Sequence, residues 1–509
     1  MLVFSDRQET VDAQQRLRDL SAAIRSISEM PAGLERHAKL VAALIEAGQV
    51  HQGLADSGRS EAGDFGRFMH ALAASVVRSW DSRFAEIEQL PAVPETNIGG
   101  CVELKIPEGF AFYAVYPEAY IAAARRLQLL AKPMVIGIRS IGTTLSAMVA
   151  ATLGCPPPIT VRPYGDPFKR RVELPASAIE KDAHYIIVDE GPGLSGSSFG
   201  AVADSLQECG VSLDRIACIP SHAGGPGPQV SSAHLAQWQR MQRVPAQFDP
   251  WFLKDRFGKL EEFATGHPGE QLKFLAATGP SDRVLVKFAG LTAIGERKFA
   301  HARALYEAGL TAEPLGLLHG FLVERWVDGS PLGGSDKPMR EIGRYVGARA
   351  RLLPAPEGSG ASVDELIAMC RRNVELAFGN ELAQRIDHIR APTPSARVRT
   401  DNKLDRKEWL RLPDGRLLKS DALDHHVSHD LIGCQPVEWD VAGAAIEFDL
   451  EDNETDELIS ATALPIDRAL VRFFRVAYAA FRTGQAALAS DHSEARYGAK
   501  LRSLLQQTH

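Results

Sequence analysis

One stretch, residues 185–199 (YIIVDEGPGLSGSSF), constrains the chain more than any other. Residues 185–188 are a short apolar run, the kind that becomes a strand buried on both faces of a parallel sheet. Asp189 and Glu190 stand where that strand would end. Gly191, Pro192 and Gly193 then forbid strand and helix alike, and Ser195, Gly196, Ser197 and Ser198 lead into the helical pattern AVADSLQECG. Glycine permits a tight fold and a close approach to a ligand. Serines offer hydroxyls, and a helix start offers unpaired N–H groups at the positive end of its dipole. That combination suits a phosphate. The acidic pair suits sugar hydroxyls, or a magnesium ion held through few carboxylates and several waters. The plain alternative is a Gly-rich corner without a ligand, and a second element weighs against it.

That element spans residues 134–153. An apolar strand, the turn Arg139-Ser140-Ile141-Gly142, then Thr143, Thr144 and a helix present another set of backbone amides, with a cation added. An arginine there is able to fork hydrogen bonds onto diphosphate oxygens, each charge-assisted bond contributing roughly 1.5–3 kcal/mol. Between the two loops lies VRPYGDPFKRRVEL, with Arg162, Lys169, Arg170 and Arg171 spread among Gly and Pro. Such a charge run alone is ordinarily a solvated surface.

Residues 185–199 resemble the phosphoribosyl-diphosphate (PRPP) signature of type I phosphoribosyltransferases: a hydrophobic strand, two acidic residues, a short turn and a small-residue loop. The resemblance places Asp189 and Glu190 on the ribose-binding acidic pair. It puts PRPP binding on Arg139, Ser140, Gly142, Thr143, Gly193, Leu194, Ser195, Gly196 and Ser197, with Mg²⁺ beside the substrate. It also makes Arg162, Lys169, Arg170 and Arg171 the mobile basic loop over the diphosphate. The sequence departs in carrying Gly-Pro-Gly-Leu where the family has two apolar residues and threonines. C1 of PRPP becomes cation-like as diphosphate leaves, so the chemistry asks for positioning and charge stabilisation rather than a strong nucleophile. Ser221 and His222, in SHAGGPGPQ after the last strand, are candidates for reaching the acceptor.

At 509 residues the chain has room for two or three domains, each with its own core. A net charge of −7 gives no general attraction to nucleic acid or anionic membranes. The six cysteines form no C-x-x-C pair, so neither a zinc cluster nor a disulfide framework is indicated, and a reducing cytoplasm is the simplest home. The N-terminus turns charged too early for a signal peptide, and the most apolar long run, residues 134–153, contains Arg139 and two glycines. The expected partners are small molecules; homo-oligomerisation stays open.

In order, Leu17, Leu20, Ile24 and Ile27 recur at helical spacing, and residues 1–95 are predicted helical, without a basic recognition helix. Residues 90–100 read as a linker. Residues 110–116 (FAFYAVY) are predicted to be a strand and the segment after Pro117 a helix. Strands then alternate with helices to about residue 220, which predicts a parallel sheet with a ligand at its carboxyl edge. Beyond residue 270, QLKFLAATGPSDRVLVKFAG reads as two strands joined by a Gly-Pro turn, with Lys287 on the second; a helix and the strand of HGFLVERWVDG follow.

This second order resembles the aminoglycoside-phosphotransferase group of the kinase-like fold. Lys287 falls on the lysine that binds nucleotide phosphates, which implies ATP. Asp401 of VRTDNKLDR falls on the catalytic base, Asp421 on the metal-binding aspartate, and Asp440 of WDVAGA on the aspartate that steadies the loop. Departures are plain: Glu296 is half a turn from the helix carboxylate's place, Lys298 occupies that place, and Arg399, Thr400 and Arg406 replace the usual His, Gly and metal-binding Asn. His425 and His429 stand four apart, either a metal pair or polar packing. The expected architecture is α/β: a helical N-terminal segment (1–95), a parallel-sheet phosphoribosyltransferase-like domain (96–245) and a C-terminal α+β kinase-like domain (246–509). The expected function is PRPP-dependent phosphoribosyl transfer to or from a base-like acceptor, coupled to phosphorylation of a related small molecule. The alternative is a PRPP- or nucleotide-sensing regulator.

Overall fold

A computed structural model describes residues 8–95, 98–174, 178–262, 272–279, 282–389, 396–423, 425, 432–489 and 491–507. The chain divides into two compact units. One runs to Glu296 and takes in Leu317–Val323; the other comprises Arg297–Gly316 and the chain from Glu324. These cut the sequence differently from the boundaries at 95 and 245.

In the first unit, strand β1 (Gln8–Asp12) precedes helices α1 (Ala13–Glu29), α2 (Leu34–Asp56) and α3 (Ala62–Asp81). The Asp12 carboxylate accepts the Gln15 N–H at 2.6 Å and so starts α1, whose buried stripe contains the predicted Leu17, Leu20, Ile24 and Ile27. β1 itself corrects the all-helical reading: it pairs antiparallel with β2 (Cys101–Lys105), a partner about ninety residues away that local pattern does not reveal. Residues 110–116 are a second correction. They form the short helix α4 (Glu108–Phe112) and a turn, because the Pro107 carbonyl accepts the Phe110 and Ala111 N–H groups. The aromatic richness there reflects burial, not strand alternation. Helix α5 (Ala119–Arg125) follows Pro117.

The parallel sheet is as expected and gains a strand. It is built from β3 (Pro133–Ile138), β4 (Ile159–Val161), β5 (His184–Val188), β6 (Ile216–Ile219) and the unforeseen β7 (Gln242–Arg243), in the order β4-β3-β5-β6-β7. All neighbours run parallel, with Gly137 opposite Val188. Val135, Ile186 and Val188 enter one apolar core, and Ile136, Ile138, Tyr185 and Ile187 the other, so β3 and β5 are buried on both faces. Helix α6 (Ile141–Leu153) follows β3, α7 (Ser197–Glu208) follows β5, and α8 (Ser232–Arg240) lies between β6 and β7. From β3 the chain steps outward to β4, then returns across β3 to β5. The carboxyl ends of β3 and β5 therefore flank a topological switch point, where open α/β sheets bind ligands.

Helix α9 (Trp251–Phe257), strand β8 (Leu260–Glu262) and the antiparallel pair β9 (Lys273–Ala277) and β10 (Arg283–Phe288) follow. Pro280 of the expected Gly-Pro turn and residues 263–271 lie outside the described residues. Helix α10 (Thr292–Glu307) and strands β11 (Pro314–Leu318) and β12 (Phe321–Arg325) come next. The two strands are joined by His319-Gly320 with φ of 44° and 84°, the paired left-handed conformation of a tight hairpin.

The second unit is mainly helical. After β13 (Ser330–Pro331) come α11 (Met339–Leu352), α12 (Val363–Phe378), α13 (Asn380–Ile386) and β14 (Arg397–Val398). Then come β15 (Trp409–Arg411), β16 (Leu417–Lys419), β17 (Gln435–Pro436), α14 (Glu438–Glu447), α15 (Asp452–Thr462), α16 (Arg468–Ala489) and α17 (Glu494–Gln507). A capping box from Ser362 and Glu365 starts α12. The expected Pro-Asp-Gly turn joins β15 to β16 with Gly415 at φ 86°, setting Leu410 opposite Leu418. Among the described residues no helix is long and apolar enough to cross a membrane.

Candidate active site

In the first unit the two predicted loops meet. Gly142 opens α6 so close to the end of β5 that a Cβ there would lie 2.6 Å from the Val188 carbonyl oxygen. The backbone of Gly142 and Glu190 lies beside the Asp189 carboxylate and favours its charged form. Tyr120 fixes the same turn by donating to the Asp189 carbonyl at 2.9 Å, and the Glu190 carbonyl accepts the Ser221 N–H at 2.5 Å. Burial pushes the Asp189 carboxyl up to about 7 and, with the charges of Asp189 and Glu108, the Glu190 carboxyl up to about 8. Two adjoining acids whose ionisation costs this much call for a cation or for hydroxyl donors.

The small-residue loop closes beside them. Gly193 and Gly196 take φ of 57° and 63°, which residues with a Cβ adopt only under strain. Ser195 and Ser197 are buried and bonded to each other at 3.0 Å, and the Ser197 hydroxyl donates to the Pro167 carbonyl at 2.8 Å. Gly193 and Leu194 are exposed, and their carbonyls accept the N–H groups of Gly227 and Gln229. His222 packs against Gly191 and accepts the Gly224 N–H. It borders a cavity of about 400 Å³ lined by Pro220, Pro226, Trp238 and Arg243.

The basic residues are arranged differently from a diphosphate clamp. Arg139 donates to Asp56 Oδ1 at 2.7 Å and to the Thr160 carbonyl at 2.9 Å, while Arg162 donates to Asp56 Oδ2 and to the Arg139 carbonyl, each at 2.5 Å. Asp56 ends α2, and nothing in its sequence signals the contact. Thr143 and Thr144 are buried, and α2 meets Thr144 at Gly48, where any Cβ would collide with its hydroxyl. Ser140 is half-buried at the start of α6. Lys169 and Arg171 are exposed on a hairpin in which Tyr164 and Arg171 exchange backbone hydrogen bonds. Arg170 donates to the Gly165 carbonyl. Lys287 lies buried on β10, and Glu296 turns outward to Lys39.

In the second unit the segment around Asp401 is held by the first turn of α14. Asp440 accepts the Asp401 N–H at 2.8 Å and the Asn402 N–H at 3.1 Å. Asn402 takes φ of 64° and donates to the Gly433 carbonyl at 2.9 Å. The Asp401 carboxylate, however, is fully buried. It accepts the Tyr345 hydroxyl, lies 3.1 Å from His425 Nδ1 and 3.5 Å from Lys419 Nζ. Burial alone would raise this carboxyl, but the Lys419 charge and the His425 bond outweigh it and hold it well below the usual range. Burial and the Asp401 charge push Asp440 up to about 6.

Lys419 also donates to Glu408 Oε2 at 2.7 Å and to the Asp421 carbonyl, and Lys403 meets Glu408 Oε1 at 2.6 Å. Arg349, four residues after Tyr345 on α11, donates to the Ala422 carbonyl at 2.5 Å and to the Arg399 carbonyl at 2.7 Å. Sequence reasoning missed Tyr345, Arg349, Lys403 and Lys419. In RLLK both Leu418 and Lys419 are buried, so strand alternation gives no signal for Lys419. Arg406, at the metal-binding asparagine's place, spends its guanidinium on the carbonyls of Gly333, Asp336 and Phe448. With Arg406 there and two ammonium groups among the acids, these donors do not fit the paired magnesium ions of kinases. His425 is at the centre, while His429 lies outside the described residues.

No family model matches the chain, and no curated protein does. Among solved structures, it is similar to the choline kinase LicA of Streptococcus pneumoniae at 14% identity and a TM-score of 0.36, over 50% of this chain and 98% of that one. A choline/ethanolamine kinase family protein of Mesorhizobium loti aligns at 19% identity and a TM-score of 0.35, over 51% and 92%. A spectinomycin phosphotransferase, solved with ADP and spectinomycin, aligns at 11% identity and a TM-score of 0.35, over 48% and 91%. Likenesses at this level assign nothing to the chain. The roles given to its residues rest on the geometry above.

Proposed function

We propose that the first unit binds a phosphorylated sugar at the carboxyl ends of β3 and β5 and transfers or releases its phosphoribosyl group, with PRPP as the substrate that the sequence resemblance implies. One observation carries this reading: the acidic pair and the small-residue loop after β5 meet the start of α6 at the switch point of the parallel sheet. Asp189 and Glu190 fit a divalent ion or ribose hydroxyls, because either would relieve two neighbouring carboxyls that burial has driven upward. Magnesium bound there would supply positive charge toward a departing diphosphate. The chain's own contribution is to orient the ribose through the two carboxylates and place negative charge near the developing C1 cation. It also offers the N-terminal amides of α7 to a phosphate. The cavity beside Trp238 and Arg243 is the acceptor's place in this reading. Diphosphate release from PRPP with Mg²⁺ and a pool of nucleobases tests it: turnover should vanish in the double variant Asp189→Asn, Glu190→Gln. Turnover surviving there would count against it.

A second reading, phosphate transfer to a small molecule by the kinase-like half, is favoured by the Asp440 clamp on Asp401 and Asn402. It requires Tyr345 and Lys419 to release Asp401. ATP consumption insensitive to Asp401→Asn would sink it. A third, sensing without turnover, is favoured by the diversion of Arg139 and Arg162 onto Asp56. Saturable PRPP binding without product would distinguish it.

A further inference from the structure

Three segments remote in sequence bring a second set of ionisable side chains together inside the first unit. His37 lies in the first turn of α2, Glu118 caps α5, and His319 occupies the hairpin turn between β11 and β12. All three are buried. His37 Nε2 lies 3.0 Å and His319 Nε2 2.5 Å from the same oxygen, Glu118 Oε1, and the three atoms fall within 4.8 Å of one another.

Two further features point to an ion rather than to ordinary packing. The other Glu118 oxygen, Oε2, is buried without any hydrogen-bond partner, although an orphaned carboxylate oxygen is among the costliest groups to bury. His319 is held at φ 44°, a conformation uncommon for residues with a Cβ, and its carbonyl is pinned by the Tyr116 hydroxyl at 2.9 Å. The hairpin thus aims the imidazole inward. His37 Nδ1 meets Ser79 Oγ at 2.9 Å, the kind of outer partner that fixes a ligating imidazole's tautomer. Rings of Trp80, Phe84, Tyr116 and Phe252 pack against the two histidines and keep water out.

We propose that His37, Glu118 and His319 bind a first-row divalent ion, with zinc the fit, through two imidazole nitrogens and one or both Glu118 oxygens. Metal–ligand bonds of about 2.0–2.2 Å put neighbouring donor atoms roughly 3.3–3.6 Å apart in a tetrahedral shell, so His37 Nε2 at 3.0 Å must draw back from Glu118 Oε1 by about 0.3–0.6 Å and His319 Nε2 at 2.5 Å by about 0.8–1.1 Å. The buried ion enters as the chain folds and ties α2, the start of α5 and the hairpin together. The site is independent of the proposed sugar chemistry, and its test does not depend on activity.

Elemental analysis of the purified full-length chain is expected to find one zinc per chain that survives dialysis, and X-ray absorption to show two imidazoles in its shell. Chain stripped under denaturant and refolded with Co²⁺ should show the visible absorption of a four-coordinate N/O site. Glu118→Gln keeps the side chain's shape and should lose the ion, whereas His234→Ala, at a half-buried histidine elsewhere, should keep it. If Glu118→Gln fails to fold, the wild-type absorption spectrum and Co²⁺ uptake still decide. Metal-free wild-type chain that takes up no Co²⁺ and melts at the same temperature with and without Zn²⁺ would overturn the proposal, as would an ion retained by folded Glu118→Gln. The triad would then be held by a shared proton.

Discussion

Arg139 Nη1 donates to Asp56 Oδ1 at 2.7 Å, so the arginine that sequence assigns to diphosphate is held by a carboxylate from the helical start of the chain. The same aspartate takes Arg162 on its other oxygen at 2.5 Å. Asp56→Asn removes the charge that fixes both guanidinium groups. We expect PRPP or diphosphate to bind about tenfold more tightly, read by calorimetry, at a stability cost of about 1–3 kcal/mol. Unchanged affinity would mean that neither arginine faces the ligand.

The acidic pair predicts a pH dependence with a definite sign. Asp189 and Glu190 titrate near 7 and 8 in the fold, above their unfolded values of 3.8 and 4.5, so between those limits the folded chain binds more protons than the unfolded one. Their contribution to stability is therefore greatest at low pH and falls as pH rises from about 4 to about 8. Melting temperatures of wild type and the Asp189→Asn, Glu190→Gln variant should diverge over that window in the variant's favour. Parallel curves would refute the assignment.

Gly142 leaves no room for a methyl group: a Cβ would lie 2.6 Å from the Val188 carbonyl oxygen and 3.1 Å from Asp189 Oδ1. Gly142→Ala should cost about 1–3 kcal/mol in urea unfolding and weaken ligand binding along with it.

Lys419 is fully buried between Asp401 and Glu408. Lys419→Met leaves both carboxylates short of a cation at similar volume, and we expect a loss of about 3–5 kcal/mol in a urea melt. A loss under 1 kcal/mol would show that Lys403 and His425 suffice.

What was legible in the sequence is what depends on near neighbours. Apolar runs bounded by Gly and Pro located β3, β5 and β6, and the aspartate of WDVAGA proved to hold the Asp401 loop. Relationships across long separations were not legible. β1 pairs with β2 through backbone groups that any sequence carries. Asp56 reads as an unremarkable helix end until folding sets it against Arg139. His37, Glu118 and His319 lie 81 and 201 residues apart and bear no mutual spacing signal. Residues 110–116 misled because aromatic side chains favour strands and buried helices alike.

The glycine at position 48, where α2 rests on α6, bears on how the chain is handled at the bench. Helices α2 and α3 pack on α6 and serve as one wall of the sheet's shell. A shortened version starting near residue 100 would bare the greasy flank of α6 and should clump during expression, whatever chemistry its loops retain.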